Sequence, residues 1–122
     1  MRLDQTMVFV KDLERMTAFY RDIIGLRPVD ATRLADWVEF ETGGASFTLH
    51  AIPAQIAEQV VIASPPVPRE QGACKLIFSV ADPDSELARL TRLGVTILHR
   101  PWGGWEAVDP EGNVFGVRSS HR

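Results

Sequence analysis

Few side chains in this sequence are of types that carry chemistry, and they are scattered. The three histidines, His50, His99 and His121, have neither the H-x-E nor the H-E-x-x-H spacing of metal sites, and each alone is more typical of a structural or solvated histidine. The single cysteine, Cys74, excludes an intrachain disulfide and favours a reducing compartment. A lysine in a desolvated site can act as a base, which makes Lys75 a candidate for acid–base chemistry.

The three tryptophans are the second kind of candidate. Trp37 stands alone, whereas Trp102 and Trp105 bracket two glycines in the run Pro101-Trp102-Gly103-Gly104-Trp105. An indole ring that stacks on a planar ligand contributes about 0.5–1.5 kcal/mol beyond the area it buries. Aromatic residues of a sheet also commonly fill a core, so ligand contact and core packing both stay open for these rings.

Composition narrows the class of protein. The chain has 122 residues, 45% of them apolar and 24% charged, with a net charge of −3, which is ordinary for one globular domain. The negative balance gives no reason to expect nucleic acid or an anionic membrane as a partner. The N-terminal region has no apolar run long enough for a signal peptide or a membrane span, so we expect a cytoplasmic protein.

The elements that must position these residues occur twice. Residues 5–21 and 75–92 each read as a short alternating strand, a Val-x-Asp sequence and an amphipathic helix. The two aspartates, Asp12 and Asp82, are 70 residues apart and are both suited to cap a helix N-terminus. Since an internal repeat indicates a duplicated unit, we expect two copies of one module.

The first module continues as further strands. Gly25 is suited to end the helix, and Pro28 restricts any following strand to an edge of the sheet. Residues 37–42 and 45–52 alternate in polarity around a Gly43-Gly44 turn, which predicts a β-hairpin.

The second module repeats this order after a linker. Residues 53–73 contain a possible short helix at 54–60 and a proline-rich run, and they serve either as a plain surface connection or as a pocket wall or dimer contact. Leu87, Leu90 and Leu93 predict the buried stripe of the second helix. A further strand and a hairpin around residues 109–112 complete the module. The chain is thus predicted to be one domain of residues 1–122, with modules 1–52 and 74–122 joined by linker 53–73.

The ordered set of motifs resembles the vicinal oxygen chelate superfamily, which includes glyoxalase I, bleomycin-resistance proteins, extradiol dioxygenases and methylmalonyl-CoA epimerase. The matching pieces are Val10-Lys11-Asp12-Leu13-Glu14, Phe19-Tyr20-Arg21, Gly25-Leu26, the Gly43-Gly44 hairpin, Phe78-Ser79-Val80-Ala81-Asp82 and Asp109-Pro110-Glu111-Gly112-Asn113. They cover nearly the whole chain apart from the linker. The resemblance implies an α+β fold in which two tandem βαβββ modules form an open, cupped mixed sheet with helices on the outer face, and it implies a homodimer.

The resemblance also implies four metal-ligand positions, one on the first and one on the last strand of each module. Counting from the Val-x-Asp aspartates and the hairpin turns places them at Gln5, Thr48, Lys75 and Gly116. Divalent metals prefer carboxylate, imidazole, amide-oxygen or thiolate ligands. An ammonium group at Lys75 repels a cation, and Gly116 offers no side chain. We therefore expect neither a metal nor another cofactor.

Strand alternation predicts which side chains line the cup, because alternate residues of a strand point the same way. In the first module the rule selects Gln5, Met7 and Phe9, then Thr48 and His50, then Trp37 and Glu39. In the second, the offset between the modules places Trp105 and Ala107 opposite Trp37 and Glu39. The predicted ligand-binding residues, which join aromatic rings to a few polar groups, are Phe9, Trp37, Glu39, His50, Lys75, Trp102, Trp105 and Arg118.

Three hypotheses of function follow. The first is metal-independent binding of a small, partly aromatic molecule, as in antibiotic sequestration. Residues 101–105 resemble the corresponding loop of bleomycin-resistance proteins, which favours this hypothesis. The second is an enzyme of the superfamily, a lyase, isomerase or dioxygenase, with an atypical metal site or with Lys75, His50 or Glu39 as acid and base. The third is a ligand-free dimerisation module. Lys75 and Glu39 are alternatively expected to form a structural ion pair.

Overall fold

The computed structural model describes residues 1–120, so His121 lies outside the described residues. The chain divides into two compact units, Met1–Val61 and Ile62–Arg122, and the predicted linker is shared between them. Each unit contains a four-stranded mixed sheet, and together they are the two tandem βαβββ modules of the predicted α+β fold. Among residues 1–120, no helix has the length and apolarity to cross a membrane.

The first unit begins with strand β1 (Gln5–Val10) and helix α1 (Leu13–Ala18), which continues as a π-helical turn, Phe19–Ile24. Asp12 caps α1 as predicted, because its carboxylate accepts a hydrogen bond from the Arg15 backbone N–H at 3.1 Å. Gly25 ends the helical segment with a φ of 90°, a left-handed conformation in which a Cβ atom would be strained.

Three strands and a short helix complete the first unit. They are β2 (Arg27–Pro28), β3 (Trp37–Glu41), β4 (Ser46–Ala51) and α2 (Ala54–Ala57), with a 3-10 turn at Asp30–Thr32. The strand order is β1-β4-β3-β2, so the proline-containing strand lies at the edge, as predicted. β1 runs parallel to β4, and the other pairs are antiparallel.

The core of the first unit lies between α1 and one face of its sheet. Tyr20 packs edge-on against Phe47 with ring centroids 4.9 Å apart. The core-facing side chains of β3 and β4 are buried, namely Val38, Phe40, Phe47 and Leu49. The opposite face of this sheet, which carries Gln5, Met7, Phe9, Trp37, Glu39, Ser46, Thr48 and His50, is called here the first open face.

The second unit repeats the order with β5 (Leu76–Val80), α3 (Pro83–Arg92), β6 (Thr96–His99), β7 (Trp105–Val108) and β8 (Val114–Ser119). The strand order is β5-β8-β7-β6, and β5 runs parallel to β8. Asp82 caps α3 with its carboxylate, which accepts from the backbone N–H groups of Asp84 and Ser85. The hydrogen bond from the Ser85 hydroxyl, together with these two, holds the pKa of Asp82 below its ordinary value.

The core of the second unit contains Leu90 of α3 with Ala107 and Phe115 of the sheet. The predicted apolar stripe is therefore only partly correct, because Leu93, at the C-terminal end of α3, is half exposed. The opposite face of this sheet, which carries Lys75, Ile77, Ser79, Glu106, Gly116 and Arg118, is called here the second open face.

Candidate functional site

The first open face presents a row of aromatic rings. Phe9 and His50 are directly paired across β1 and β4, with ring centroids 5.4 Å apart, and Trp37 is paired with His50 across β3 and β4 at 5.6 Å. Phe9 is 59% exposed although it is a large apolar side chain. The sequence therefore predicted correctly which strand face these three side chains share.

Polar groups flank this row. The His50 imidazole lies 3.4 Å from a carboxylate oxygen of Asp36, a residue that the sequence did not single out. Glu39 accepts a hydrogen bond from the Thr32 hydroxyl at 3.0 Å. The row is thus a mostly apolar surface with a few placed polar groups, which is the general composition of sites for small organic ligands.

The first two family ligand positions touch each other. The Gln5 side-chain amide donates to the Thr48 hydroxyl at 2.7 Å, and Thr48 is fully buried. The contact confirms that the two residues share a face. In this contact the two side chains are hydrogen-bonded to each other. Both are neutral, so the pair lacks the negative charge that would hold a divalent ion.

The second open face is organised by charge. The Lys75 ammonium lies 2.6 Å from a carboxylate oxygen of Glu106, and the other oxygen of Glu106 accepts from the Arg100 guanidinium at 2.7–2.8 Å. Arg100 also makes a bidentate pair with Glu70 at 2.7 and 2.8 Å. These four side chains, Lys75, Glu106, Arg100 and Glu70, are called here the charged network.

The charged network fixes the ionisation of its members. Burial raises the pKa of Glu106, but the hydrogen bonds from Lys75 and Arg100 outweigh it and hold that pKa below its ordinary value. The hydrogen bond from Arg100 is the main reason that the pKa of Glu70 is also lowered, and the two carboxylates raise the pKa of Arg100. At neutral pH Glu106 and Glu70 are therefore ionised and Arg100 is protonated.

Glu106 is the residue that sequence reasoning missed, and Trp105 is the one it placed wrongly. In the register of β7 and β8, Glu106 is paired with Gly116 and Ala107 with Phe115. Trp105 and Ala107 thus point to the α3 side, not to the open face as predicted. The reason is the hairpin connection, residues 109–113, which is one residue longer than residues 42–45 of the first unit and reverses the alternation.

The predicted partner of Lys75 also differs. Lys75 pairs with Glu106 and Glu39 with Thr32, so each of the two side chains has its partner within its own unit. The position of Gly116 explains the new pair. A Cβ atom built on Gly116 would lie 3.7 Å from a Glu106 carboxylate oxygen, so this carboxylate reaches beside the family ligand position from the neighbouring strand.

The donor set of the second unit does not fit a divalent metal. The carboxylate nearest to Gly116 is already paired with two cations, and one of these, Lys75, stands at a ligand position itself. Among residues 1–120, no three side chains of His, Cys, Asp or Glu form a group suited to a metal ion.

The two remaining predicted site residues, Trp102 and Arg118, are exposed. Trp102 is 74% exposed in the turn before β7, with the Arg100 guanidinium 5.9 Å from its ring. Its indole nitrogen lies against the backbone of Gly104, 2.8 Å from where a Cβ atom would stand. Arg118 is exposed on β8, where it is paired with Ser79 of β5.

One cavity of the first unit does not coincide with the aromatic row. It has a volume of about 400 Å³ and is lined by Arg2, Leu3, Asp4, Gly44 and Ala45 at the N-terminal end of the sheet. Because its lining has no aromatic ring, it does not supply the stacking surface that the sequence predicted.

Paired βαβββ units with this strand order define the class of protein, and the comparison with protein families gives the superfamily. The model of the glyoxalase/bleomycin resistance protein/dioxygenase superfamily matches residues 2–117, and the chain belongs to this superfamily. No curated protein sequence matches the chain.

Solved structures of the same fold include proteins with different descriptions. The chain is 26% identical to a lactoylglutathione lyase from Agrobacterium tumefaciens, with 96% of this chain and 92% of that one covered and a TM-score of 0.65. It is 21% identical to a family enzyme from Burkholderia phytofirmans PsJN, with 98% of each chain covered and a TM-score of 0.70. It is 23% identical to TnmS3, an antibiotic binding protein from Streptomyces sp. CB03234, with 98% and 95% covered and a TM-score of 0.63.

Proposed function

We propose that this protein binds a small, partly aromatic organic molecule on the open faces of its sheets without a divalent metal, as a sequestering protein of the antibiotic-resistance type does. The observation that carries the proposal is the exposed ring row Phe9, His50 and Trp37 on the first open face. The likeness to TnmS3 supports the fold alone, at 23% identity, so the proposal depends on the residues.

Exposed aromatic area is the driving force. An apolar ligand that covers Phe9 removes surface from water at about 25 cal/mol per Å², and ring contacts with Trp37 and His50 add to this. His50 and Glu39 supply polar groups that can orient a ligand on the surface. Met7, which is also exposed on this face, is a flexible side chain that adapts to ligands of different shape.

The residues at the four family ligand positions support metal independence. Gln5 is hydrogen-bonded to Thr48, and Lys75 is ion-paired with Glu106 beside the bare backbone of Gly116. A metal at these positions would displace both contacts and face an ammonium group. The cost of placing like charges side by side makes metal-dependent glyoxalase, epimerase or dioxygenase chemistry the weaker hypothesis.

An enzyme is the second candidate, and the 26% identity to a lactoylglutathione lyase is the observation that favours it. Without a metal, the available acid and base groups are His50 beside Asp36, Glu39 and Lys75. A turnover assay on the metal-free protein separates this candidate from binding, because sequestration returns the ligand unchanged.

The experiment is a fluorescence titration with a panel of aromatic compounds, including antibiotics, combined with elemental analysis of the purified protein. We expect saturable quenching of tryptophan emission, recovery of the intact ligand and less than one-tenth of an equivalent of divalent metal. A stoichiometric metal, or the absence of binding across the panel, would contradict the proposal.

We also propose that the protein is a homodimer in the cytoplasm, with no nucleic-acid or membrane partner. Membership of the superfamily supports the dimer, the single cysteine supports a reducing compartment, and the net charge of −3 gives no electrostatic reason for a nucleic-acid or anionic-membrane partner. Light scattering on the eluted protein measures the mass directly, and a monomer at micromolar concentration would contradict the dimer.

A further inference from the structure

Lys75 is an ion-paired residue whose ammonium group still has hydrogen-bonding capacity. An ammonium carries three N–H donors, and Glu106 takes one of them. Glu106 is the only hydrogen-bond acceptor recorded for Lys75 among residues 1–120. The Lys75 side chain is 43% exposed, so its remaining donors reach solvent on the second open face.

The charged network fixes the position of this ammonium. The Glu106 side chain is only 12% exposed and is held from its other side by Arg100. Arg100 is in turn held by two hydrogen bonds to Glu70. The Glu106 and Glu70 carboxylates are both bound by the Arg100 guanidinium, so the Glu106 side chain is held in place. Its ion pair with Lys75 therefore fixes the lysine nitrogen beside β8.

The surface next to this ammonium is apolar because Ile77 is exposed there, whereas Gly116 is itself buried. Gly116 has no side chain, and a Cβ atom there would meet Ile77 at 3.5 Å and Glu106 at 3.7 Å, which are ordinary contacts. Ile77 is 58% exposed and lies across from Gly116 in the register of β5 and β8. Further along the same face, Arg118 adds a second, exposed cation.

We propose that the second open face binds an organic acid, with Lys75 binding the anionic oxygen of the acid and Ile77 contacting its apolar part. The inference rests on the proposed function, which places ligands on both open faces, and it names the ligand class of the second one. A carboxylate that meets an ammonium makes a charge-assisted hydrogen bond, whereas a neutral amide of the same shape offers a weaker acceptor. The ammonium thereby supplies the positive charge at the position where metal enzymes of this fold place an ion.

The preference for an acid is expected to be moderate. Lys75 is partly exposed and shares its charge with Glu106, so screening by water reduces the gain. We expect a carboxylate to bind about five- to tenfold more tightly than the matched amide, which is just below the range for hydrogen bonds to charged groups.

The experiment compares 2-naphthoate with 2-naphthamide by fluorescence titration of the full chain at pH 7. In the wild type, the naphthoate is expected to bind about five- to tenfold more tightly. Lys75→Met should remove this preference and leave the affinity for the naphthamide within about twofold, and Lys75→Arg should retain most of the preference.

Arg92→Met is the matched control. It removes one positive charge from an exposed position on α3, so it changes the net charge by the same amount without touching the second open face. We expect it to keep the wild-type ratio of the two affinities. Circular dichroism of each variant checks that the fold is retained, and Lys75→Arg supplies a folded comparison if Lys75→Met does not fold.

Three results would overturn the inference. Equal affinities of the wild type for the two probes would remove the role of the anion and leave the proposed binding function standing. Equal losses for both probes in Lys75→Met would make Lys75 a structural residue only. Failure of both probes to bind the wild type at millimolar concentration would count against the inference and the proposed function together.

Discussion

The two units share a strand order but present different chemistry on corresponding faces. On the first open face the rings of Phe9, His50 and Trp37 lie side by side, and the family ligand positions hold a neutral hydrogen bond. On the second, an ion pair and a bare glycine occupy the same positions. The comparison teaches that a duplicated scaffold keeps its topology through core residues, while its two open faces are free to diverge.

The difference follows from burial. The side chains that face the helices, such as Phe40 and Phe115, are almost fully buried, and a change of their volume costs packing energy. Phe9 and Lys75 on the open faces are largely exposed, although Thr48 is buried there, so a ring in one unit and an ammonium in the other are both compatible with the same backbone. Function is therefore expected to reside in the open faces.

The largest expected effect comes from removing the centre of the charged network. Glu106→Ala leaves Lys75 and Arg100 facing each other without the carboxylate between them, and we expect a loss of about 2–3 kcal/mol in the free energy of unfolding. Urea denaturation followed by circular dichroism measures it. Glu86→Ala, which removes a partly exposed pair on α3, is the control and should cost less than about 0.5 kcal/mol. Similar losses for the two variants would mean that the network adds no more than an ordinary surface pair.

The aromatic row should give the next largest effect, on affinity. Trp37→Ala and Phe9→Ala each remove one ring from the first open face and should weaken binding of an aromatic ligand by about three- to tenfold. Ile56→Ala, which truncates an exposed apolar residue of α2, should leave the affinity unchanged. Titration by fluorescence or calorimetry measures the affinity of each variant for the ligand. Unchanged affinity in both ring variants would mean that the first open face is not part of the site.

The pH dependence of stability sharpens the contrast between the units. The pKa of Glu106 is lowered in the folded state, so its stabilising effect is fully present above the ordinary value of 4.5 and is lost as pH falls through the lower folded value. The difference in unfolding free energy between the wild type and Glu106→Gln should thus be largest near pH 7 and shrink from about pH 5 to about pH 3. Urea titrations at several pH values test this, and a constant difference would show that the network does not titrate as described.

The smallest effect is expected at Trp105, which the register places on the α3 side of its sheet. Trp105→Phe should leave ligand affinity within about twofold of the wild type, because the ring does not reach the open face. Trp37→Phe is the matched substitution on the first open face and should remove most of the ligand-induced quenching. A stronger effect at Trp105 than at Trp37 would reverse the assignment of the two faces.

Much of the fold was accessible from the sequence, because its signals are local and occur twice. Several features each depend on the type of one residue. They are the helix caps at Asp12 and Asp82, the end of the first helical segment at Gly25 and the edge position of the strand with Pro28. Alternation also predicted which side chains of β1, β3 and β4 share a face. The short hairpin sets the register of β3 against β4, and β1 pairs with β4.

The second open face was less predictable, because register depends on loop length. The prediction transferred strand positions from the first hairpin to the second, whose connection is one residue longer. This difference put Trp105 on the wrong face and left Glu106 out of the predicted site. The strand itself held the signal, since Trp105, Ala107 and Glu106 alternate as apolar and polar residues. Arg100 and Glu70 gave no such signal, because the contact joins residues 30 positions apart in irregular segments.

The central claim is that this protein binds an aromatic ligand without a metal, and the most direct test is calorimetric titration of 2-naphthoate into protein that has been stripped with a chelator. The account predicts the same affinity before stripping, after stripping and after addition of zinc or nickel, with no heat of metal binding at the Gln5 and Lys75 positions. Binding that disappears on stripping and returns with one equivalent of a divalent ion would contradict it.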